Sequence, residues 1–384
     1  MYDRDMLRES LDYFEPIRAL DEMTPNERSR ALAHGESVDR MPIGIMADLT
    51  VPRMMGTTFA ECEKTARGKA EQQIAAYRLF GADGTGLMYG LHSLAIAYGG
   101  AYKQPPNETK VLLDAPLRHP REDVPRLSLD DIVFDEDPNA YVTLEALEMI
   151  RDEIGDEVGT GVNFTSPFTA ASGLVGVETF LRGLIRREEW APQLIEFTVS
   201  ALFKLAEPFL KEGFGVSTCD PVASCTIINP KLYRTYALPS ELRFQELVRQ
   251  YTHAPMHMHI CGDTTKILED VAGGGFSEYS LDNVVDLGVA KERIGDRIRI
   301  QGNVDPVGLM ELGTPDQIED KTKECFRKAW DSPKGFQIHS GCDMPFDSSN
   351  ENIFRYLKVA KTLAAEQARA LEDPDPERPH GWDA

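Results

Sequence analysis

Eight short apolar runs recur along this chain, at residues 42–47, 82–88, 157–163, 214–219, 254–260, 276–281, 298–303 and 335–340. Helical patterns separate most of them: 67–80, 141–153, 176–187, 191–212, 230–250, 264–272, 284–293, 314–330 and 349–367. Pro192, Asn229 with Pro230, and Thr314 with Pro315 supply start signals for several of these. Strands that alternate with helices at crossover spacing imply a parallel sheet, because two parallel strands need a long connection between them. No GxGxxG opens a helix after the first strand, so a dinucleotide-binding doubly wound sheet is disfavoured. At 384 residues the pattern predicts an α/β fold, a single closed (β/α)8 TIM barrel.

The flanks read differently from the alternating body. Residues 1–38 are expected to form an N-terminal helical extension, with Thr24 as N-cap, Pro25 in the first turn and Glu27 at the third position. The barrel domain is expected over 39–366. The tail from 367 to 384, ending "EDPDPERPHGWDA", reads as flexible. The Pro-rich stretch "KQPPNETKVLLDAPLRHPREDVPRLSLDD" reads as a surface excursion.

A formal charge of −22 argues against non-specific binding to nucleic acid or to anionic membranes. The start "MYDRDMLRESLDYF" does not read as a signal peptide, and no apolar run approaches the length of a membrane span. Six cysteines scattered over a chain this long are expected to be reduced thiols in a cytoplasm.

The stretch "MHMHICGD", residues 256–263, carries the sharpest chemical signal. Period-two alternation puts His257, His259 and Cys261 on one face of the fifth strand candidate, with Met256, Met258 and Ile260 on the other. Cys261 falls where the strand ends, and Cys342 falls just past the eighth candidate, in "GFQIHSGCDMP". A barrel gathers such ends at one face. One imidazole and two thiolates suit Zn²⁺, and Asp282, after the sixth candidate, is best placed for a fourth position, with Glu278 a poorer choice. The competing reading of a His-x-Cys pair is a buried histidine that only hydrogen-bonds.

Asp305, Asp220 and Asp48 also follow strand candidates and are candidates for positioning substrate. Asp305 has the alternative of capping the next helix, and Asn303 lies beside it. Asp220 and Asp48 suit either a polar substrate group or the outer proton of a ligand histidine. His257 is either such a partner or a polar filling of the interior. Cys62 and Cys325 read as packing residues, and Cys219 and Cys225 as loop or core.

The segments "MTPNERSRALAHGESVDRMPIGI", "SPFTAASGLVGVETFLRGL", "PMHMHICGD", "IRIQGNVDP" and "GCDMPFDSSNENI" resemble the uroporphyrinogen decarboxylase superfamily. "HICG" with the later "GC" resembles its branch of zinc-dependent, corrinoid-linked methyltransferases. The resemblance runs over about residues 23 to 367 and implies a (β/α)8 barrel with zinc held by His259, Cys261 and Cys342, and Asp282 in the place of a variable fourth ligand. Porphyrinogen decarboxylases open their barrel with an arginine-rich segment similar to "RQAGRY". This chain has "GIMADLTVPRMMG" there, with Arg53 alone, a poor match for a tetrapyrrole's carboxylates.

The resemblance implies methyl transfer between a corrinoid (cobalamin) and a small substrate, a thiol or a methylated compound such as a methoxylated aromatic. No corrinoid-binding "DxHxxG" occurs, so the corrinoid is expected on a separate small protein or free. Relatives usually carry an acidic residue where this chain has "YGLHSLAIAYGG", with Tyr89 and His92, which implies a substrate other than coenzyme M. Two rivals stand beside this reading: a lyase of the decarboxylase type acting on another carboxylated substrate, and a non-catalytic corrinoid- or tetrapyrrole-binding protein.

Overall fold

Seven of the eight apolar runs form strands of one sheet. In this computed structural model, which describes residues 2–134, 137–252, 254, 256–374 and 379–383, they are β1 (Thr85–Met88), β4 (Thr160–Thr165), β5 (Gly215–Cys219), β6 (His257–Ile260), β7 (Glu278–Leu281), β8 (Arg299–Val304) and β9 (Phe336–Ser340). Their order in the sheet is the chain order, β1-β4-β5-β6-β7-β8-β9, without the reversal that marks a doubly wound sheet. β4 with β5, β5 with β6, and β8 with β9 pair in parallel. Pro255, inside the expected strand 254–260, lies outside the described residues.

The first run, 42–47, departs from expectation: it contributes only an isolated parallel bridge between Ile43 and Ile338 of β9. Side chains occupy its ladder positions. Ile43 N–H donates to Asp83 Oδ2, Met46 N–H to Ser340 Oγ, and the Gly44 carbonyl accepts the Tyr356 hydroxyl. Backbone bonds also remain: Gly44 N–H donates to the Ile338 carbonyl, Asp83 N–H to the Ile43 carbonyl and Met344 N–H to the Met46 carbonyl, each at 3.0 Å. A Cβ on Gly44 would overlap the His339 ring, so the close approach to β9 requires glycine.

The described residues divide into two compact units. The first comprises 1–86, 146–160 and 280–384. Its N-terminal helix, Arg4–Arg18, buries Phe14 and Ile17, with Phe14 edge-on to Phe80 and Tyr13 edge-on to Phe354. The helix Pro25–His34 has the expected capping box from Thr24 and Glu27. Beneath them lies a buried ion network. Arg28 grips Asp39 through Nε and Nη2 at 2.8 Å each, Arg40 Nε donates to Asp21 at 2.7 Å, and Lys361 Nζ donates to Asp21 at 2.6 Å.

The helix Asn350–Glu372 runs past the expected tail boundary at 367. Trp382, buried, stacks on Phe326 and packs against Trp330, and its carbonyl accepts from Arg327. Residues 375–378 and 384 of that tail lie outside the described residues.

The second unit comprises 87–145 and 161–279. Every residue of its helix Pro167–Val175 is buried, and Tyr89 stacks on Phe164 with Phe209 edge-on to both. The Pro-rich excursion contains a small antiparallel pair, β2 (Ala101–Lys103) with β3 (Val111–Asp114). Its exposed faces carry no inward-facing apolar alternation that would announce it in sequence. Among the described residues no single helix is long and apolar enough to cross a membrane.

Candidate metal centre

β6 places its side chains as the alternation predicts. Met258 and Ile260 are fully buried, His259 is buried, and His257 is partly open. Register with β5 sets Cys219 beside His259, and the Asp220 N–H donates to the His259 carbonyl at 2.9 Å. Past the strand the chain turns at Gly262, whose φ of +77° favours glycine. A Cβ there would stand 2.7 Å from Ser224 Oγ and 2.8 Å from Thr226 Oγ1. The same loop locks the turn, with Cys225 N–H donating to the Asp263 carbonyl and Asp263 N–H to Thr226 Oγ1. Cys261 is therefore fixed from both sides, and its Sγ lies 3.2 Å from His259 Nε2.

Cys342 follows β9. The preceding Gly341 donates its N–H to the Val304 carbonyl at 2.7 Å, and a Cβ on Gly341 would stand 2.7 Å from the Asn283 nitrogen. One ligand atom each from His259, Cys261 and Cys342 forms a group within 4.8 Å of one another. A nitrogen and two sulfurs so gathered fit three positions of a tetrahedral N/S metal such as zinc. Asp282 is not in this group; its Oδ1 accepts the Val284 N–H at 3.4 Å, and its carbonyl accepts from Asn303. Glu278 instead faces His257, whose Nδ1 lies 3.2 Å from its Oε1. His257 thus has a carboxylate partner.

The three aspartates have distinct settings. Asp305 caps the turn that follows β8, accepting from Val307 N–H at 3.0 Å and Gly308 N–H at 2.9 Å, which matches its helix-cap alternative. Asp48 accepts from Gln73 at 2.7 Å through its side chain and from Gln72 at 2.8 Å through its carbonyl. Removal from water pushes its carboxyl up, and Glu63 adds to that. Asp343, next to Cys342, is held well above the usual carboxylate range by removal from water and by facing Asp48.

Asp220 is fully buried, accepts from the Thr169 hydroxyl, and burial pushes its carboxyl up to about 6. It faces Glu241, which burial and the Asp220 charge hold well above its ordinary value, and which accepts from Tyr233 Oη at 2.9 Å. Two carboxyls in contact without water keep a proton between them.

Sequence reasoning missed Asp343, Glu241 and Tyr233. Asp343 had a signal, since it directly follows a candidate ligand in "GCDMP". Glu241 had none, because a single acid within "LPSELRF" looks like any helix surface residue. Arg53 is tied to the protein along one edge: Nε donates to the Phe346 carbonyl, and Nη2 to the Ser348 carbonyl and Asn350 Oδ1.

A family model described as uroporphyrinogen decarboxylase (URO-D) matches residues 24–363. The chain is 25% identical over 362 residues to a methylated-thiol–coenzyme M methyltransferase of Methanosarcina mazei, covering 92% of this chain and 93% of that protein. It is 26% identical over 309 residues to the methylcobamide:CoM methyltransferase MtaA of Methanosarcina barkeri, covering 79% and 89%. A solved structure described as a methyltransferase from Methanosarcina mazei shares the fold, with a TM-score of 0.76 at 24% identity over 89% of this chain and 99% of that one. By the length of the family match, this chain belongs to the uroporphyrinogen decarboxylase (URO-D) family.

Proposed function

We propose that this chain is a zinc-dependent methyltransferase moving a methyl group between a corrinoid and a small thiol or methylated compound. The corrinoid arrives on a separate protein or free. The observation that carries the reading is the His259, Cys261 and Cys342 donor group. Relatives named as methylated-thiol–coenzyme M and methylcobamide:CoM methyltransferases match 92% and 79% of this chain. The α/β fold with its seven-stranded parallel sheet is consistent with a (β/α)8-type architecture, which places active residues at the C-terminal ends of strands. His259, Cys261 and Cys342 sit at or just beyond such ends.

Zinc bound there supplies a Lewis acid that keeps a substrate thiol deprotonated near neutral pH while leaving it nucleophilic. A methylated corrinoid would supply the methyl group for such a thiol, with the carbon–cobalt electron pair staying on the cobalt. His259, Cys261 and Cys342 hold the metal, and Asp282 remains the candidate for a weak fourth ligand. Asp48 and Asp220 are the candidates for holding polar substrate groups; Asp305 shapes the turn after β8. Arg53, with Nε and Nη2 held by three protein acceptors, cannot offer the Nε/Nη2 edge of its guanidinium to a substrate carboxylate, which weighs against the decarboxylase rival.

Metal analysis with Cys261→Ser and Cys342→Ser tests the reading. One zinc per chain is expected, lost in both variants together with thiol-dependent demethylation of free methylcobalamin, followed by its absorbance. Full activity without zinc would overturn it.

A further inference from the structure

The segment that follows the helix Asn350–Glu372 is held by one turn and one buried ring. Asp373 caps that helix, and prolines at 374, 376 and 379 then remove backbone donors with which a helix could continue. Among the described residues beyond Asp373, hydrogen bonds to the rest of the protein are made at two consecutive positions. Gly381 N–H donates to Glu366 Oε2 at 2.8 Å, and the Trp382 carbonyl accepts from Arg327 Nε at 3.0 Å. The segment also closes on itself. Asp383 N–H donates to the His380 carbonyl, and His380 N–H to Asp383 Oδ2, both at 2.9 Å. These two bonds make "HGWD" a turn with its own internal support, which lowers the ordering cost of docking it.

The surface that receives this turn is an aromatic slot between two helices. Trp382 is only 1% exposed. Its indole lies along Phe326, with ring centroids 5.6 Å apart and planes 12° from parallel, and Trp330 stands 5.3 Å away. His380 stacks on the same indole at 4.4 Å and reaches Trp330 at 5.2 Å. Phe326, Arg327 and Trp330 come from the helix Pro315–Ala329 and its C-cap, Leu363 and Glu366 from Asn350–Glu372. A Cβ on Gly381 would stand 2.9 Å from both Leu363 Cδ2 and Glu366 Oε2, so the turn passes at a distance that suits glycine alone. One buried aromatic anchor, with the backbone gripped beside it, is the pattern of a short bound motif.

The slot stands at the start of β9. Phe326 meets Phe336, the first residue of β9, edge-on at 5.7 Å. Gln367 Nε2 donates to the Trp330 carbonyl at 2.8 Å and lies 3.5 Å from the Phe336 carbonyl. The docked turn therefore braces the seam of the two helices and the strand start that they hold.

We propose that residues 379–383 are a tethered ligand of a peptide-binding slot formed by Phe326, Arg327, Trp330, Leu363 and Glu366. The slot recognises a glycine-containing turn that presents an indole, it is filled here by the chain's own segment, and its filling sets the rigidity of the start of β9.

The test uses the full-length chain. Trp382→Ala empties the slot, and its melting temperature is expected to fall by about 5 °C, the effect of truncating a buried aromatic in a chain of this size. Amide hydrogen exchange at Trp330 and Phe336 is expected to accelerate with it. An acetylated, amidated peptide of residues 379–383 reverses both changes when added in solution. Its apparent Kd is expected at about 10–100 µM, from a roughly 100-fold loss on truncating the indole and a millimolar effective concentration for a short tether. The same peptide carrying Trp382→Ala does nothing, and the wild-type chain, with its slot filled, binds the parent peptide on the order of 100-fold more weakly than the variant does. Gly381→Ala keeps the indole and gives a smaller melting shift with the same rescue, which preserves the test if Trp382→Ala does not fold. Unchanged melting and exchange in both variants, no rescue at about 1 mM peptide, or equal peptide binding by wild type and variant overturns the proposal. So does a wild-type dimer that Trp382→Ala converts to monomer, since the segment would then fill the slot of a neighbouring copy.

Discussion

A Cβ on Gly262 would stand 2.7 Å from the Ser224 hydroxyl, so the residue after Cys261 has no room for a side chain. Its φ of +77° adds a conformational penalty for any other residue. The turn that aims Cys261 at His259 thus depends on a glycine clamped by the loop after β5. Gly262→Ala is expected to destabilise the protein by about 1–3 kcal/mol and to weaken zinc binding more than a surface Gly→Ala change does. Thermal melts and zinc titration against Gly84→Ala, where a Cβ meets nothing, check both.

His257 and Glu278 face each other at 3.2 Å, beside the ligand candidates rather than among them. Glu278→Gln is therefore expected to keep the zinc stoichiometry of the wild type. It removes one partner of a half-buried pair, for which a loss of about 1 kcal/mol or less is expected. Loss of zinc in Glu278→Gln, measured by metal analysis after dialysis, would instead make Glu278 a ligand.

Asp39 holds the buried Arg28 through two hydrogen bonds and caps the start of Glu22 and Met23 with its other contacts. Burial alone would raise its pKa, but Arg28 and the two backbone N–H groups outweigh it and lower the carboxyl to about 2. The folded value lies below the unfolded one near 3.9. Its stabilisation is therefore fully present above pH 4 and is lost as pH falls from about 4 to about 2. Asp39→Asn should remove that part of the acid limb. It should also cost about 3–5 kcal/mol at neutral pH, because it strips a partner from a buried guanidinium. Urea midpoints at pH 3 and pH 7 for both proteins test the pair of statements.

Much of this was legible in sequence, for reasons that differ by residue. Seven strands could be read because strands joined by crossover helices carry compact apolar runs, bounded by caps such as Thr24 and Thr314. The 42–47 run misled because its apolar character is real, while the side chains of Asp83, Ser340 and Tyr356 take part of its ladder and leave a single bridge to β9. Residues 230–250 carry one helical period, but the backbone passes through a π-helical turn at Tyr233–Ala237, which periodicity does not reveal. His259, Cys261 and Cys342 stood out by residue type and by their place at strand ends. The Asp220–Glu241 contact joins a strand end to a helix interior, and nothing local marks such a pair.

That pair gives the last expectation its sign. Asp220 is lifted to about 6 by burial, and Glu241 is lifted by burial and by Asp220. Both folded values lie above the unfolded carboxylate values near 4. An acid whose pKa rises on folding binds its proton more tightly in the native state, so its contribution is greatest below pH 4. Stability from this pair is lost as pH rises from about 4 through about 6 and beyond. Glu241→Gln removes the second charge while leaving an amide that can donate to Asp220, so the Asp220 carboxyl should fall toward its ordinary range. The variant is expected to be relatively less stable than wild type at pH 4 and to gain on it by pH 8. Melting temperatures of the two proteins across that interval should converge or cross; parallel curves would mean that the carboxyls do not share a proton.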